Sequence, residues 1–368
     1  MRVAIIHYWL VGMRGGEKVL EEIASLYPQA DIYTHVADPS RLSPALAGRN
    51  IQQTFIGRLP FARRLYKAYL GFMPRALEAL DLSAYDLVIS SESGPAKGVI
   101  VHPNARHLCY CHTPMRYIWD QFAEHAAQLS PPARAYFCSV AHRLRVWDAA
   151  AAQRTDRFLA NSSFVAARIR RCYGRGAEVL HPPVDTNRFT PGAGGDAYLF
   201  VSELTAYKRA DLAIEAVRGT DRRLVVVGDG PERQRLARTA PPNVSFLGRV
   251  SDDRLAQAYR EARALIFPGE EDFGITPVEA MASGRPVIAL GRGGAAETVA
   301  DGLTGLHFAE QSAGALRAAL DRFEAQEAMF SPGVIRAHAA GFGADRFRRG
   351  FQAAVDNLMA APAAEAWR

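Results

Sequence analysis

Between Phe267 and Gly284 the chain reads Phe-Pro-Gly-Glu-Glu-Asp-Phe-Gly-Ile-Thr-Pro-Val-Glu-Ala-Met-Ala-Ser-Gly, with three adjacent acids (Glu270, Glu271, Asp272) ahead of a helix start at Thr276-Pro277. Backbone N–H groups in the first turn of a helix have no intrahelical partner and carry the positive end of its dipole. An anion of the diphosphate type can dock there. Glu271 and Glu279 flank the turn, and a carboxylate is a good acceptor for the hydroxyls of a sugar. Thr276-Pro277-Val278-Glu279 also has the form of a capping box, Thr at N-cap, Pro at N1 and Glu at N3, so Glu279 has a local structural reading beside the ligand-binding one. The three neighbouring acids have no such local duty and repel one another, which marks their loop as functional.

Other residues of chemical promise lie further apart. Lys208 and Arg209 sit between a strand end and a helix start, where a cation can meet a diphosphate or simply be a solvated pair at a helix entry. His112 follows a strand and precedes Thr113-Pro114, at the carboxyl edge of a first sheet, where a lone histidine is otherwise a structural residue. Gly15 and Gly16 follow the first strand and serve either a plain turn or the close approach of backbone to phosphate or sugar. From Pro39 to Leu77 there are seven basic residues (Arg41, Arg49, Arg58, Arg63, Arg64, Lys67, Arg75) and no acidic one. A helical projection of 60–72 puts Phe61, Leu65, Tyr69 and Phe72 on one side and Arg63, Arg64 and Lys67 on another. That face suits an anionic membrane surface, or a helix packed on its own domain with a solvated basic side.

The elements that must position these residues alternate. Val3 to Ile6 is an apolar strand that meets Gly12, Gly15 and Gly16 and then a helical pattern, Glu17 to Leu26. Asp86 to Ser90, Val99 to Val101, Arg106 to Tyr110 and Arg157 to Ala160 read as further short strands. Around 181–197 the texture changes to His-Pro-Pro, Thr-Pro-Gly and Gly-Gly, the best domain boundary. Beyond it strands over 198–202, 224–227, 244–247, 264–267 and 287–290 alternate with helices over 209–218, 232–239, 252–261, 277–282 and 295–301. Strands rich in Val, Ile and Leu in regular βα alternation predict a doubly wound parallel sheet. The expected architecture is two Rossmann-like domains, 1–190 and 191–345, facing a central cleft, then a C-terminal helix and tail over 346–368 that crosses back to the first domain. The Ala-rich 360–366 reads as a frayed end.

Glu271 to Glu279 reproduces a Glu-x7-Glu pattern with Phe-Gly inside it and Ala-Met-Ala-Ser-Gly behind it. In this the chain resembles family 4 of the retaining nucleotide-sugar glycosyltransferases, which have the GT-B fold. Supporting pieces follow in order across most of the chain: Gly15-Gly16, His112-Thr113-Pro114, Asn161-Ser162, Pro182-Pro183-Val184-Asp185, Lys208-Arg209, Gly228-Asp229-Gly230-Pro231 and Gly293-Gly294 through Glu297. His7-Tyr8-Trp9-Leu10 and Cys111 to Asp120 look most like the O-antigen-type mannosyltransferases. The resemblance implies that the second domain holds the nucleotide sugar and the first the acceptor. Glu279 would bind the ribose, Glu271 the donor sugar hydroxyls, and Phe273, Gly274, Ile275 and Thr276 the diphosphate and sugar. Gly15, Gly16, Gly228 and Arg249 join the donor site. His112 stands beside the donor sugar, and Lys208 and Arg209 meet the departing diphosphate. It further implies a metal-independent transfer with retention, mannose from GDP-mannose favoured, to a polyprenyl-diphosphate-linked or oligosaccharide acceptor. The setting implied is the synthesis of bacterial cell-surface polysaccharide. One departure stands out: Glu203-Leu204 occupies the place of a common Arg-Leu pair.

Composition sets the outer limits. The chain has 368 residues, 49% hydrophobic and 22% charged, as an ordinary globular protein of about two domains does, which excludes a disordered or collagen-like chain. Its net charge of +6 divides unevenly, with 23 basic against 15 acidic residues over 1–190, and 21 against 23 after. The excess therefore belongs to the first domain and points to an anionic acceptor or surface. Four cysteines without a framework read as reduced intracellular thiols, and no His/Cys cluster has zinc spacing. No apolar window approaches the ~20 residues needed to span a bilayer, and 1–10 does not read as a signal peptide. The expected location is cytoplasmic, at the inner face of the membrane. An oxidoreductase fares poorly because Gly228-Asp229-Gly230 lacks the third glycine of a dinucleotide fingerprint. Nucleic acid is not expected, since the basic run carries no recognition motif. A UDP-sugar-dependent transferase and a catalytically weakened nucleotide-sugar or lipid-binding protein remain as alternatives.

Overall fold

The short apolar runs become the strands of two parallel sheets, each with helices on both faces. The computed structural model describes residues 1–361, and its chain forms two units: Met1–Pro182 together with the residues from Phe347 onward, and Pro183–Arg346. In the first unit the strands are β1 (Val3–His7), β2 (Asp31–Thr34), β3 (Ile51–Gln53), β4 (Leu87–Glu92), β5 (Arg106–Cys111), β6 (Arg157–Ala160) and β7 (Glu178–Val179), in sheet order 3-2-1-4-5-6-7. In the second they are β8 (Ala197–Val201), β9 (Arg223–Val227), β10 (Val244–Gly248), β11 (Leu265–Phe267), β12 (Val287–Leu290) and β13 (Gly305–Phe308), in order 10-9-8-11-12-13. The strand order reverses beside β1 and β4 in one sheet, and beside β8 and β11 in the other. Such reversals open a crevice at the carboxyl ends of the strands.

Alternate residues of β1 serve opposite faces, as strand geometry requires. Val3 and Ile5 pack with Val19, Leu20 and Ile23 of the helix Gly15–Leu26, and with Phe347, Phe351, Val355 and Leu358 of the helix Ala344–Ala360. Ala4 and Ile6 pack on Leu77, Leu82, Tyr85 and Val88. A buried ionic group ties the end of β4 to the helix Pro131–Gln153: Lys97 Nζ donates to Glu92 at 2.6 Å and to Asp148, which also accepts from the Trp119 indole at 2.8 Å. Three charged side chains out of water persist only when paired this completely.

Three sequence expectations change. Val99–Val101 is no strand: Gly98 lies flat on the Trp147 ring, Val99 is buried with Ala96 in a side cluster, and β5 takes the place beside β4. The helix projected over 60–72 breaks into a turn of helix, Ala62–Leu65, and a 3₁₀ segment, Tyr66–Phe72, with Phe61 in a left-handed conformation at φ 52°. The tighter period breaks the projected faces: Phe61, Leu65 and Phe72 end up exposed, at 78%, 44% and 52%. Third, the helix expected from Thr276 starts earlier. It spans Ile275–Ala282 with Gly274 at the N-cap, so Thr276 and Glu279 form no capping box. Ala360 ends its helix, and the rest of the frayed end expected over 360–366, from Pro362 on, lies outside the described residues. None of the helices among the described residues is long and apolar enough to cross a membrane.

Candidate functional site

The candidate site of the second unit lies where its strand order reverses. The loop after β11 carries Glu271, and the loop after β8 carries Lys208; their side chains form an ion pair, both largely shielded from water. Burial opposes the charge on Lys208, but Glu271 and the Tyr207 hydroxyl outweigh it and hold the ammonium above its ordinary range. The Lys208 charge also lies 5.0 Å from the centre of the Tyr207 ring. Arg209 adopts a left-handed backbone at φ 58° as it enters the helix Ala210–Val217. Its guanidinium is held by Asp211 at 3.1 Å and by Gln311 at 3.2 Å, and Gln311 in turn donates to the Pro268 carbonyl at 2.9 Å. Part of the Arg209 charge is thus committed, and the same contacts fasten its loop to the Glu271 loop.

Glycine shapes this loop. Gly274 turns the chain at φ 88° into its helix, a conformation that costs other residues, and as the N-cap residue it brings no side chain of its own to the first-turn N–H groups. Behind it Gly293 and Gly294 let the backbone lie directly on Glu271 and Phe273, with the Gly294 N–H donating to the Glu271 carbonyl at 2.8 Å. Phe273 is an anchor rather than an open surface: it is buried against Phe342, ring centres 5.8 Å apart. Glu279 accepts from the buried Tyr259 hydroxyl at 2.9 Å. Ile275 and Thr276 occupy the first turn. The loop can therefore offer backbone donors to an anion, a lysine beside them, and two carboxylates with acceptor capacity left for hydroxyls.

Gly228 and Arg249 stand differently. Gly228, at φ 130°, packs against the Ser202 carbonyl, and the Leu204 N–H reaches the Asp229 carbonyl at 2.9 Å, so this glycine has a loop-packing reason of its own. Arg249 is exposed beyond the edge strand β10, and no hydrogen bond or ion pair joins it to the Lys208 cluster among the described residues. Glu203 is exposed on the loop that carries Lys208.

In the first unit the strand reversal brings together residues from three strands. His7 ends β1, Ser91 lies beside it in β4, and His112 follows β5. The Ser91 hydroxyl is 3.1 Å from His7 Nδ1 and 2.9 Å from His112 Nε2. Burial lowers His112 to about 4, and it lowers His7 well below the usual value, the nearby His112 adding to the effect. Gly16, in the first turn of its helix, leaves room for the Tyr8 hydroxyl, and a Cβ there would lie 3.7 Å from His112 Nε2. Gly16 and His112 thus meet at one place, with Gly15 one residue before at the start of the helix. Ser91 and Tyr259 were not singled out from the sequence, and His7 and Tyr8 stood there only within the His7-Tyr8-Trp9-Leu10 segment, without a role; a further signal was that His7 closes the first strand, at the carboxyl end where such sheets bind ligands.

Arg63, Arg64 and Lys67 are exposed beside the uncovered Phe61, Leu65 and Phe72. Arg63 reaches Asp38 at 3.8 Å, and Lys67 lies 5.9 Å from the Tyr66 ring centre. The Tyr136 hydroxyl donates to the Ala68 carbonyl at 3.1 Å and fixes this segment to the helix Pro131–Gln153.

Comparison with known proteins gives one family per domain. Residues 13–188 match Glycosyltransferase Family 4, and residues 186–332 match Glycosyl transferases group 1. A GDP-mannose-dependent alpha-mannosyltransferase of Mycolicibacterium smegmatis is 37% identical over 196 residues, 47% of this chain and 50% of that protein. A D-inositol 3-phosphate glycosyltransferase of Actinosynnema mirum is 33% identical over 233 residues, 52% of this chain and 55% of that protein. The matched part is thus about half the length of these curated relatives. Among solved structures, Anabaena HepE in complex with UDP-glucose aligns with 97% of this chain and 100% of its own at a TM-score of 0.70 and 17% identity. A sucrose-phosphate synthase of Thermosynechococcus elongatus aligns with 98% and 100% at 0.72 and 20%.

Proposed function

Since the chain belongs to the glycosyltransferases of GT-B fold, with a Glycosyltransferase Family 4 match over its first half and a Glycosyl transferases group 1 match over its second, we propose that it transfers a sugar from a nucleotide donor with retention of configuration, mannose from GDP-mannose being favoured. The observation that carries this reading is the Lys208–Glu271 pair beside the helix start at Gly274. Phosphate oxygens leaving the sugar need preorganised positive charge, and the largest catalytic contribution is commonly of this kind. In the proposal Lys208 and the N–H groups at Ile275 and Thr276 receive the diphosphate. Arg209 adds what charge Asp211 leaves it. Glu271 turns to the donor sugar hydroxyls, and Glu279 accepts from the ribose while keeping Tyr259. The leaving group departs on the face from which the acceptor hydroxyl attacks, the protein charges standing where a metal acts in other transferases. The name of the mannosyltransferase relative supports GDP-mannose over a UDP-sugar.

The acceptor in this reading is lipid-linked or an oligosaccharide, met at an anionic membrane surface on the cytoplasmic side during cell-surface polysaccharide synthesis. Exposed Phe61, Leu65 and Phe72 among Arg58, Arg63, Arg64 and Lys67 support it, since basic residues near an anionic leaflet contribute about 1 kcal/mol each. Co-sedimentation with phosphatidylglycerol vesicles but not with neutral ones is expected; indifference to lipid charge removes this part of the proposal.

A thermal-shift panel of GDP, UDP and ADP with their sugars tests the donor, because a ligand bound only by the native state raises the melting temperature. GDP and GDP-mannose should raise it most. A response to UDP-sugars alone overturns the donor assignment, and shifts without any transfer or donor hydrolysis mark a binding protein.

A further inference from the structure

The three side chains at the strand reversal of the first unit form a hydrogen-bonded row, His7–Ser91–His112, whose direction can be worked out. His7 and Ser91 are direct neighbours in the β1–β4 register, and both are fully buried. One ring nitrogen of His7 faces the Ser91 oxygen at 3.1 Å, and the other, Nε2, is buried with no hydrogen-bond partner among the described residues. A neutral imidazole carries one proton. Placed on Nε2 it would be a buried N–H with nothing to receive it, a rarer and costlier situation than a bare acceptor. His7 therefore keeps its proton on the nitrogen facing Ser91 and donates it to the serine oxygen.

A serine hydroxyl has one proton of its own and two lone pairs. With His7 donating to it, the Ser91 O–H is left to donate to its other hydrogen-bond partner among the described residues, His112 Nε2 at 2.9 Å. His112 Nε2 is then an acceptor, and the His112 proton must sit on Nδ1. Both rings stay neutral at ordinary pH because of burial. The adjacent start of the helix Gly15–Leu26 brings the positive end of its dipole and disfavours an imidazolium further.

We propose that His7, acting through Ser91, is a positioning residue that locks His112 in its Nδ1–H tautomer, so that His112 presents an N–H donor to a sugar hydroxyl at the carboxyl end of the first sheet. The part played by the sugar rests on the function proposed above; the tautomer does not. The locked form is the opposite of the one an unconstrained imidazole favours, which makes it visible.

Long-range 1H–15N correlation spectra of the 15N-labelled full chain read the tautomer directly, with the His112 signals assigned by their loss in His112→Gln. In the native chain His112 should show a protonated Nδ1 and a bare Nε2. Ser91→Ala and His7→Phe should each release it toward the Nε2–H form, and Ser91→Thr should restore it, while the signals of the distant His35 report that the fold is intact. Donor kcat/KM should fall about tenfold in Ser91→Ala, the worth of one well-placed hydrogen bond, and recover in Ser91→Thr. A native His112 protonated on Nε2, or a tautomer that Ser91→Ala leaves unchanged in a folded chain, overturns the proposal. Absence of transfer with every donor would instead strike the proposed function and leave the spectroscopic result standing.

Discussion

Glu271 is the counter-ion of Lys208, and in the proposed function a diphosphate must compete with it for the ammonium. Negative charge elsewhere on the same loop works against that exchange, and Glu203 supplies it. Glu203→Arg is expected to lower the donor KM about fivefold, the value of one partly screened charge contact, in steady-state assays; an unchanged or higher KM would show that Glu203 does not face the diphosphate. The buried histidines make a second, independent prediction. Burial holds His35 and His112 near 4 and His107 near 3, below their ordinary 6.5, so their ring signals should stay in the neutral form until the pH falls to those values. The sign for stability follows. Each contributes stabilisation that is complete above about 6.5 and lost as the pH drops toward its folded value, because the unfolded chain binds protons first. A titration of any of the three with a midpoint near 6.5 would contradict the buried, neutral assignment. At this scale the sequence showed which side chains carry chemistry but not their partners: Lys208 and Glu271 meet across a sheet, and His7 meets Ser91 only through a strand register that spacing along the chain does not encode.

Elements were legible where hydrophobic patterning decides them. The strand Val287–Leu290 and the helix Asp252–Glu261 lie where the Val/Ile/Leu run and the amphipathic period put them. The pattern failed where packing from elsewhere in the chain overrules it. Thr276 has ideal capping chemistry, yet the helix begins two residues earlier because Gly293 and Gly294 press the preceding loop into place and Gly274 can take the left-handed turn that results. The segment 60–72 divides by charge as a helix would, yet Gly71 against Tyr136 and Val140 draws it into a 3₁₀ path. The glycine pair supplies the prediction at this scale. Gly294→Ala sets a Cβ against the Phe273 backbone, which cannot yield as a side-chain tip can, and should cost about 1–3 kcal/mol and abolish the donor-induced thermal shift. Gly314→Ala, in the open first turn of the helix Ala313–Gln326, should instead be neutral or stabilise by up to about 1 kcal/mol, through the freedom it removes from the unfolded chain. Equal effects at the two positions would mean that the loop is not held by this contact.

The two doubly wound units were visible in the alternation of strands and helices, whereas the return of the chain to the first unit rests on a single helix. Its Phe347 and Phe351 rings lie 5.5 Å and 6.5 Å from that of Tyr110 in β5, and Val355 and Leu358 continue the row. Phe351→Ala should remove about 3–5 kcal/mol from the first unit. Calorimetry should show the transition of that unit moving down while that of the second stays; a matched fall in both would mean that the two unfold as one.

The same helix sets an order of assembly. A ribosome releases residues 347–358 only after the whole of the second unit, so at about 5–20 residues per second the first unit waits on the order of ten seconds with the helix-binding side of β5 bare. The second unit, whose core closes once Phe342 has emerged, needs no such wait. The half made first is thus finished last, and a chain cut short before Phe347 carries an open apolar groove on its first unit, the kind of surface by which chaperones and proteases tell an unfinished protein from a finished one.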